Sequence, residues 1–330
     1  MSFRALVTQR LADGQVESRV ETVEESALPE GNVMVSVEWA GFNYKDGLVL
    51  RGEGNIVRNY PHIGGVDFAG RVVESRDARY HPGQAVVLTG WRVGEMRWGG
   101  FATRARVDAD WLVPLPKAFS TRTAMVLGTA GLAAMLAINR LQGEGSKSTD
   151  GEVLVTGAGG GVGSIAVLLL ARLGYKVAAL TGRPELAERL MTLGASRIVK
   201  REEILTPTGK VLDKEAWPAV VDTVGGPLLG EVLKKVRYGG WVAAVGNAGG
   251  ITWEASVIPF ILRNISLLGV DTVMQPYGAR QAAWDRLTTL FAEGCYAPFV
   301  AEHKLEELPA VAATILKGGV AGRVIVNPRA

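Results

Sequence analysis

The spacing of apolar residues changes near residue 122, and the two patterns predict two kinds of structure. Before that point, short alternating segments such as Val33 to Trp39 and Gln84 to Leu88 are separated by Gly and Pro, as in antiparallel strands. After it, short apolar runs alternate with helical stretches, which is typical of strands buried on both faces of a parallel sheet. The runs lie at 153–155, 177–180, 197–199, 219–221, 241–245 and 267–270. We therefore predict an α/β protein with a six-stranded, doubly wound parallel sheet and a mainly antiparallel, barrel-like module.

The length of the chain and its last segment indicate how these parts are arranged. At 330 residues the chain exceeds what one hydrophobic core usually supports. We expect a catalytic module at 1–122, the parallel-sheet domain at 123–272, and a segment at 273–330 with two helices. The final strand, 322–326, has no sheet of its own, so this segment is expected to return to the first module.

A glycine-rich turn follows the first of the parallel strands. Gly157, Gly160 and Gly163 are spaced G-x-x-G-x-x-G and not the usual G-x-G-x-x-G, so the motif alone also fits a turn that is merely tight. Its place between the first strand and a helix is where a Rossmann sheet binds a dinucleotide pyrophosphate. The predicted contacts are Ala158, Gly159, Gly160, Gly161, Val162 and Gly163.

The end of the second strand predicts which dinucleotide binds. It carries Thr181, Gly182 and Arg183 and no acid, and a guanidinium suits a 2′-phosphate. Arg201, after the third strand, could reach the same phosphate, with Arg197 a second candidate. These residues predict NADPH, although Arg183 could also be a solvated residue preceding a helix.

Two later strand ends complete the predicted cofactor site. The turn of Val245, Gly246 and Asn247 is expected to offer backbone groups to the nicotinamide side. Asp222, at the end of the fourth strand, is expected to cap a helix.

Composition excludes several classes of partner and of site. With 36 basic and 33 acidic residues and no basic block, no nucleic-acid footprint is predicted. The uncharged stretch 123–139 is interrupted by glycines, so we predict a buried helix and no membrane span, and the N-terminus lacks the layout of a signal peptide. Cys295 is the only cysteine, which fits a reducing cytoplasm, and three histidines with one cysteine supply no zinc set.

The whole chain resembles the medium-chain dehydrogenase/reductase superfamily. The resemblance rests on the order of the domains, on Gly128-Thr129-Ala130-Gly131 and on Leu193-Gly194-Ala195. Zinc-containing members have a cysteine in the region of 43–46 and Gly-His-Glu where this chain has Gly65-Val66-Asp67. The resemblance therefore implies a GroES-like catalytic domain and a zinc-independent, quinone-oxidoreductase-like reductase.

Several longer strings are similar to the bacterial acryloyl-CoA reductase branch of this superfamily. They are Asn43 to Asp46, Gly65 to Gly70, Leu88 to Trp91, Trp98 to Gly100 and Pro259 to Asn264. The resemblance implies NADPH-dependent reduction of acryloyl-CoA to propanoyl-CoA without a metal. An NADPH:quinone or general enone reductase, and a non-catalytic NADPH-binding protein, remain as alternatives.

The resemblance also implies which residues carry out the reaction. It places the Asn43–Tyr44 turn near the nicotinamide, where Tyr44 would bond the cofactor or supply a proton and Asn43 would hold the turn; the alternative for Tyr44 is an anchor in a buried turn. Arg323 would approach the cofactor or be an ordinary exposed arginine, and Asp67 would be structural.

Coenzyme A and the parallel sheet give two further expectations. The phosphates and adenine of coenzyme A predict a basic rim with some aromatic surface, although scattered arginines are common on any protein. The rim residues would be Lys45, Arg51, Arg58, Arg92 and Arg97, with Trp91 and Trp98 nearby.

The edge strand of the parallel sheet, at 267–270, is expected to pair with the same strand of a second copy in a homodimer.

Overall fold

The computed structural model describes residues 1–206 and 208–330, which form two compact units. The first unit comprises Met1–Thr129, Thr272–Thr288 and Phe299–Ala330, and the second comprises Ala130–Asp271 and Thr289–Pro298. Residues 123–129, assigned above to the parallel-sheet domain, thus lie in the first unit, and 289–298 lie in the second. The helix through this boundary loses its helical backbone at Gly128 (φ 51°, ψ −150°), which is where the chain changes units.

Strands and two helices make up the N-terminal part of the chain. The strands are β1 (Ser2–Arg10), β2 (Val16–Glu24), β3 (Val33–Phe42), β4 (His62–Ile63), β5 (Asp67–Ser75), β6 (Ala85–Thr89), β7 (Arg104–Val107) and β8 (Leu112–Pro114). The helices are α1 (Tyr44–Arg51) and α2 (Thr121–Gly143). Among the described residues, α2 alone has the length and composition to cross a membrane, and 78% of its apolar stretch is buried inside the protein.

Strands and helices alternate in the second unit. The strands are β9 (Glu152–Val155), β10 (Lys176–Thr181), β11 (Arg197–Lys200), β12 (Trp217–Asp222), β13 (Val236–Ala244) and β14 (Ser266–Gly269). The helices are α3 (Gly161–Arg172), α4 (Ala187–Thr192), α5 (Arg201–Leu205), α6 (Gly226–Leu233) and α7 (Ile258–Arg263). The last elements of the chain are α8 (Tyr277–Leu290), α9 (Glu293–Tyr296), β15 (Val300–Lys304), α10 (Leu308–Leu316) and β16 (Arg323–Asn327).

The second unit is built on a six-stranded sheet of order β11-β10-β9-β12-β13-β14, in which every pair is parallel. Each strand corresponds to one of the predicted apolar runs, so the predicted parallel sheet is confirmed. The carboxyl ends of β9 and β12 lie side by side at its centre, with Val155 opposite Val221. Ligand-binding turns of such sheets follow these ends.

The first unit holds a seven-stranded sheet and a three-stranded sheet. The larger has the order β15-β16-β3-β5-β6-β8, with β7 also on β3, and only its β15–β16 pair is parallel. The prediction of a mainly antiparallel module is confirmed. The final strand, β16, pairs with the end of β3, with Val324 opposite Phe42. Because Val324 lies opposite Phe42, the preceding residue, Arg323, lies close to the turn that follows β3.

Candidate active site

The turn between β9 and α3 can be made only with small residues. Gly157 has a φ of 58°, and a Cβ there would lie 2.4 Å from the Thr223 Oγ1 atom. A Cβ at Gly163 would lie 2.3 Å from the Gly157 carbonyl oxygen. The glycines therefore make a turn too tight for side chains at these two positions. Since the first N–H groups of α3 have no partner within the helix, the turn suits an anion such as a pyrophosphate.

The residues predicted to read the 2′-phosphate lie together at the end of β10. Arg183 is half-buried, and its Nη2 donates to the Gly159 carbonyl at 2.8 Å. A Cβ on Gly182 would lie 3.5 Å from Arg201 Cδ, so the Arg201 side chain passes over that glycine. Burial lowers the pKa of Arg183. Two guanidinium-bearing side chains thus lie at the end of β10, and Arg183 also contacts the glycine turn, an arrangement that suits a 2′-phosphate.

Arg197, the second candidate, occupies a different place. It begins β11, at the amino end of the sheet, where its Nε donates to Glu152 at 2.7 Å. Because Arg197 is paired with Glu152 at the amino end of its strand, it does not belong to the group of Arg183 and Arg201 at the carboxyl ends of the strands.

The turns after β12 and β13 are in direct contact with each other. The Val245 N–H donates to the Asp222 carbonyl at 2.8 Å, and a Cβ at Gly246 would lie 2.3 Å from the Thr223 carbonyl oxygen. The Asp222 carboxyl is buried and accepts from the Gly225 N–H at 2.8 Å, immediately before α6. Burial raises the pKa of Asp222. The Asp222 side chain therefore fixes the turn ahead of a helix and also bonds the Thr156 hydroxyl at 2.6 Å.

In the first unit, the turn between β3 and α1 is held by hydrogen bonds from Asn43. Its Nδ2 donates to Asp67 Oδ1 at 3.1 Å, its Oδ1 accepts from Arg323 Nη1 at 2.9 Å, and its N–H donates to Asp46 Oδ2 at 2.8 Å. Tyr44 begins α1 and is 38% exposed, and its side chain forms no hydrogen bond with the described part of the chain. The Tyr44 side chain therefore does not hold the turn through a hydrogen bond.

The structure places Arg323 in the interior, where the sequence did not predict it. Only 2% exposed, it donates from Nε to the Val126 carbonyl at 3.1 Å and from Nη2 to the Met125 carbonyl at 3.3 Å. The expectation of an ordinary exposed arginine is wrong, because β16 brings this residue under the Asn43 turn. Its partners come from distant parts of the chain, so no local pattern marked them.

Two buried carboxylates accompany Arg323. Asp67 lies with its Oδ2 4.0 Å from Arg323 Nη2. Asp46 accepts from the N–H groups of Gly65 and Val66 at 3.1 and 3.0 Å. Burial, reinforced by the Asp67 charge, raises the pKa of Asp46 to about 7. The structural role predicted for Asp67 agrees with this position, whereas no role was predicted for Asp46, which lies in the Asn43 to Asp46 string.

Three of the predicted coenzyme A rim residues belong to one region. Arg92 and Arg97 line a cavity of about 560 Å³, and Lys45 pairs with Glu95, between them in sequence, at 2.9 Å. Arg51 and Arg58 are exposed elsewhere on the surface, and no contact among the described residues joins them to the cavity. Of the predicted aromatics, Trp91 lines the cavity, whereas Trp98 donates its indole N–H to the Pro61 carbonyl at 3.2 Å.

Two family models match the chain. Residues 29–117 match the alcohol dehydrogenase GroES-like domain, and residues 161–292 match the model described as zinc-binding dehydrogenase. The second match begins at Gly161, at the end of the glycine turn, and covers strands β10 to β14 of the parallel sheet. Among the described residues, no three His, Cys, Asp or Glu side chains are grouped as metal ligands.

Known proteins are similar to the chain over its whole length. Acrylyl-CoA reductase AcuI of Ruegeria pomeroyi is 50% identical over 329 residues, 99% of this chain and 100% of that protein. The YhdH oxidoreductase of Salmonella enterica, in complex with NADP, is 48% identical with a TM-score of 0.95, covering 99% of each chain. Bacillus subtilis YhfP, with NAD bound, is 45% identical with the same TM-score and coverage.

These matches extend through both units, including the Asn43 turn and the glycine turn, and they agree with the fold of the sheets and with the composition of the site. The chain belongs to the zinc-independent group of the medium-chain dehydrogenase/reductase superfamily.

Proposed function

We propose that this protein is an NADPH-dependent oxidoreductase that reduces the C=C bond of acryloyl-CoA to give propanoyl-CoA. The observation that carries the proposal is the full-length identity with an acrylyl-CoA reductase. In the reaction a hydride adds to the β-carbon, negative charge builds on the thioester oxygen, and a proton adds to the α-carbon. The protein has to orient the two reactants, exclude water and place donors at the developing charge.

The second unit supplies the residues that bind the cofactor. NADPH, when bound, supplies the hydride. The N–H groups at the start of α3, in the turn from Ala158 to Gly163, would bind its pyrophosphate. Thr181, Gly182, Arg183 and Arg201 would hold the 2′-phosphate. The turn at 245–247 would contact the nicotinamide side.

The first unit supplies the donors for the substrate. Tyr44 is at the start of α1 and is 38% exposed, and its hydroxyl has no hydrogen-bond partner among the described residues, so it would donate to the thioester oxygen or to the cofactor. Asn43 would hold this turn in place, and Arg323 would act through the Asn43 amide, with which it forms a 2.9 Å hydrogen bond. A donor that is already positioned loses little entropy when charge develops on the substrate.

We infer a homodimer that forms through the edge of the parallel sheet. β14 is the edge strand, and the preceding helix α7 exposes Ile261 and Leu262 by 67% and 60%. An exposed edge beside apolar side chains is usually covered. Sedimentation should give a dimer for the wild type and a monomer for Leu262→Glu.

We also propose that the protein is located in the cytoplasm, because its single cysteine fits a reducing compartment.

The function is tested by following NADPH oxidation at 340 nm with acryloyl-CoA, longer enoyl-CoA thioesters and quinones as competing acceptors. We expect acryloyl-CoA to be consumed and propanoyl-CoA to form in equal amounts. Consumption of quinones with acryloyl-CoA left unreacted would favour the quinone reductase alternative. Binding of NADPH with no acceptor reduced would favour the non-catalytic one.

A further inference from the structure

The loop that follows β6 has an unusual backbone. Trp91 and Arg92 both have positive φ, 56° and 58°, which is uncommon for large side chains and persists only where neighbouring groups impose it. The Trp91 N–H donates to the Val273 carbonyl at 2.9 Å. Arg280, 1% exposed, lies 4.9 Å from the Trp91 ring centre and donates to the Thr89 carbonyl at 2.7 Å. The hydrogen bond from Trp91 and the buried Arg280 therefore hold the loop in this conformation.

This loop forms one wall of the cavity of about 560 Å³. The lining residues are Trp91, Arg92, Met96, Arg97, Trp111 and Met274. The Arg97 guanidinium lies 4.6 Å from the Trp111 ring centre, and Arg92 Nη1 is 3.4 Å from the Met96 sulfur. The lining thus combines indole rings, thioethers and two positive charges. A planar heterocycle carrying phosphates is the ligand that fits these groups, since rings stack on indoles and guanidiniums bind phosphates.

The loop at 91–97, which lines the cavity, also forms hydrogen bonds with other parts of the first unit, including the start of α1. Lys45 Nζ bonds Glu95 Oε1 at 2.9 Å, and the His62 ring bonds the Gly94 carbonyl at 3.0 Å. Lys45 follows Tyr44, so the same short helix carries the proposed donor to the substrate and a fixed contact to the cavity wall. A ligand that occupies the cavity and extends towards Tyr44 would touch both.

We propose that this cavity binds the adenosine 3′,5′-bisphosphate end of the acyl-CoA substrate, with the adenine against the aromatic and thioether side chains of the lining and the phosphates on Arg92 and Arg97. The inference rests on the proposed function, because coenzyme A is the carrier of the acryloyl group. The cavity volume lies in the range of small-molecule sites, roughly 300–1,000 Å³. The pantetheine arm then runs from the cavity to the Tyr44 turn.

The test compares acryloyl-CoA with acryloyl-pantetheine, which lacks the nucleotide. In the double variant Arg92→Gln/Arg97→Gln we expect the KM for acryloyl-CoA to rise roughly tenfold to a hundredfold, the effect of losing charged hydrogen bonds. Its KM for acryloyl-pantetheine and its kcat for both substrates should match the wild type. Arg76→Gln, an exposed arginine outside the cavity, is the control and should change neither KM. An equal rise for both substrates, or no rise for acryloyl-CoA, overturns the inference.

A binding measurement separates this inference from the proposed function. Calorimetry with adenosine 3′,5′-bisphosphate, at saturating NADP⁺ to fill the cofactor site, should give binding to the wild type and a loss of at least tenfold in the double variant. If that result comes with no turnover of any acryloyl thioester, the cavity assignment stands and the function fails. If acryloyl-CoA turns over but the bisphosphate does not bind, the function stands and the cavity assignment fails.

Discussion

Asp46 connects the ionisation of a buried carboxyl to the stability of the Asn43 turn. Its burial and the nearby Asp67 charge raise its pKa from 3.8 to about 7, against the effect of the N–H donors from Asn43 and Val66, which favours the charged form. The raised value means that burial prevails over the hydrogen bonds. Replacing Asp46 with asparagine removes the titration and keeps the size of the side chain.

The sign of the pH dependence follows from the direction of this pKa change. Between the two pKa values the folded protein keeps a proton that the unfolded chain has lost, so rising pH favours unfolding. The stabilisation is full below pH 3.8 and is lost as the pH rises through about 7. At about 1.4 kcal/mol for each pH unit between those values, the loss amounts to about 4 kcal/mol in the free energy of unfolding.

Urea unfolding of the wild type and of Asp46→Asn, measured from about pH 4 to about pH 8, checks this value. Carboxyls with lowered pKa, such as Asp213 and Glu306, change stability in the opposite direction. They are present in both proteins and cancel in the difference between the two profiles. We expect the wild type to lose about 4 kcal/mol relative to the variant across this range.

Two results would refute the reasoning. Parallel profiles would mean that Asp46 has the same pKa in the folded and unfolded chain. A wild type that gains stability relative to the variant as the pH rises would mean that the N–H donors outweigh burial, so that the pKa of Asp46 lies below 3.8.

Further predictions concern the cofactor and the substrate. Arg183→Ala should raise the KM for NADPH roughly tenfold to a hundredfold and that for NADH much less, because only NADPH has the 2′-phosphate; an unchanged ratio would contradict the assignment. Tyr44→Phe should lower kcat or NADPH affinity by a similar factor without lowering Tm, and if both constants stay intact, both proposed roles fail. Gly163→Ala puts a Cβ 2.3 Å from the Gly157 carbonyl oxygen and should weaken NADPH binding at least tenfold by calorimetry, whereas Gly143→Ala, with nothing within 4 Å, should not.

The parallel sheet could be predicted because its signal is local. Each strand is a short apolar run, and burial on both faces leaves few polar positions to confuse the pattern. The turn between β9 and α3 was predicted for the same reason, since the atoms that a Cβ at Gly163 would meet belong to Gly157 and Ala158 in the same turn. In these elements the residues that contact one another are also close together in the sequence.

The network under the Asn43 turn could not be predicted because its contacts are distant in sequence. Arg323 bonds carbonyls of Met125 and Val126, almost 200 residues away, and its position depends on β16 pairing with β3. The Gly322-Arg323-Val324 string reads as a strand start whether or not the arginine is buried. The cavity could not be predicted for the same reason, since one of its lining residues, Met274, lies far in sequence from the loop at 91–97.

The composition of this buried network explains why the pKa of Asp46 is raised. Asp46 and Asp67 are both fully buried, and the buried cation Arg323 lies 4.0 Å from Asp67. With both carboxyls ionised the group would carry a net negative charge in the interior, and such a charge is costly. Protonation of Asp46 removes one negative charge from this network, in which the Asn43 amide bridges Asp67 and Arg323. The Asp46 carboxyl also accepts the Asn43 N–H at 2.8 Å, so its charge is coupled to the backbone that precedes Tyr44.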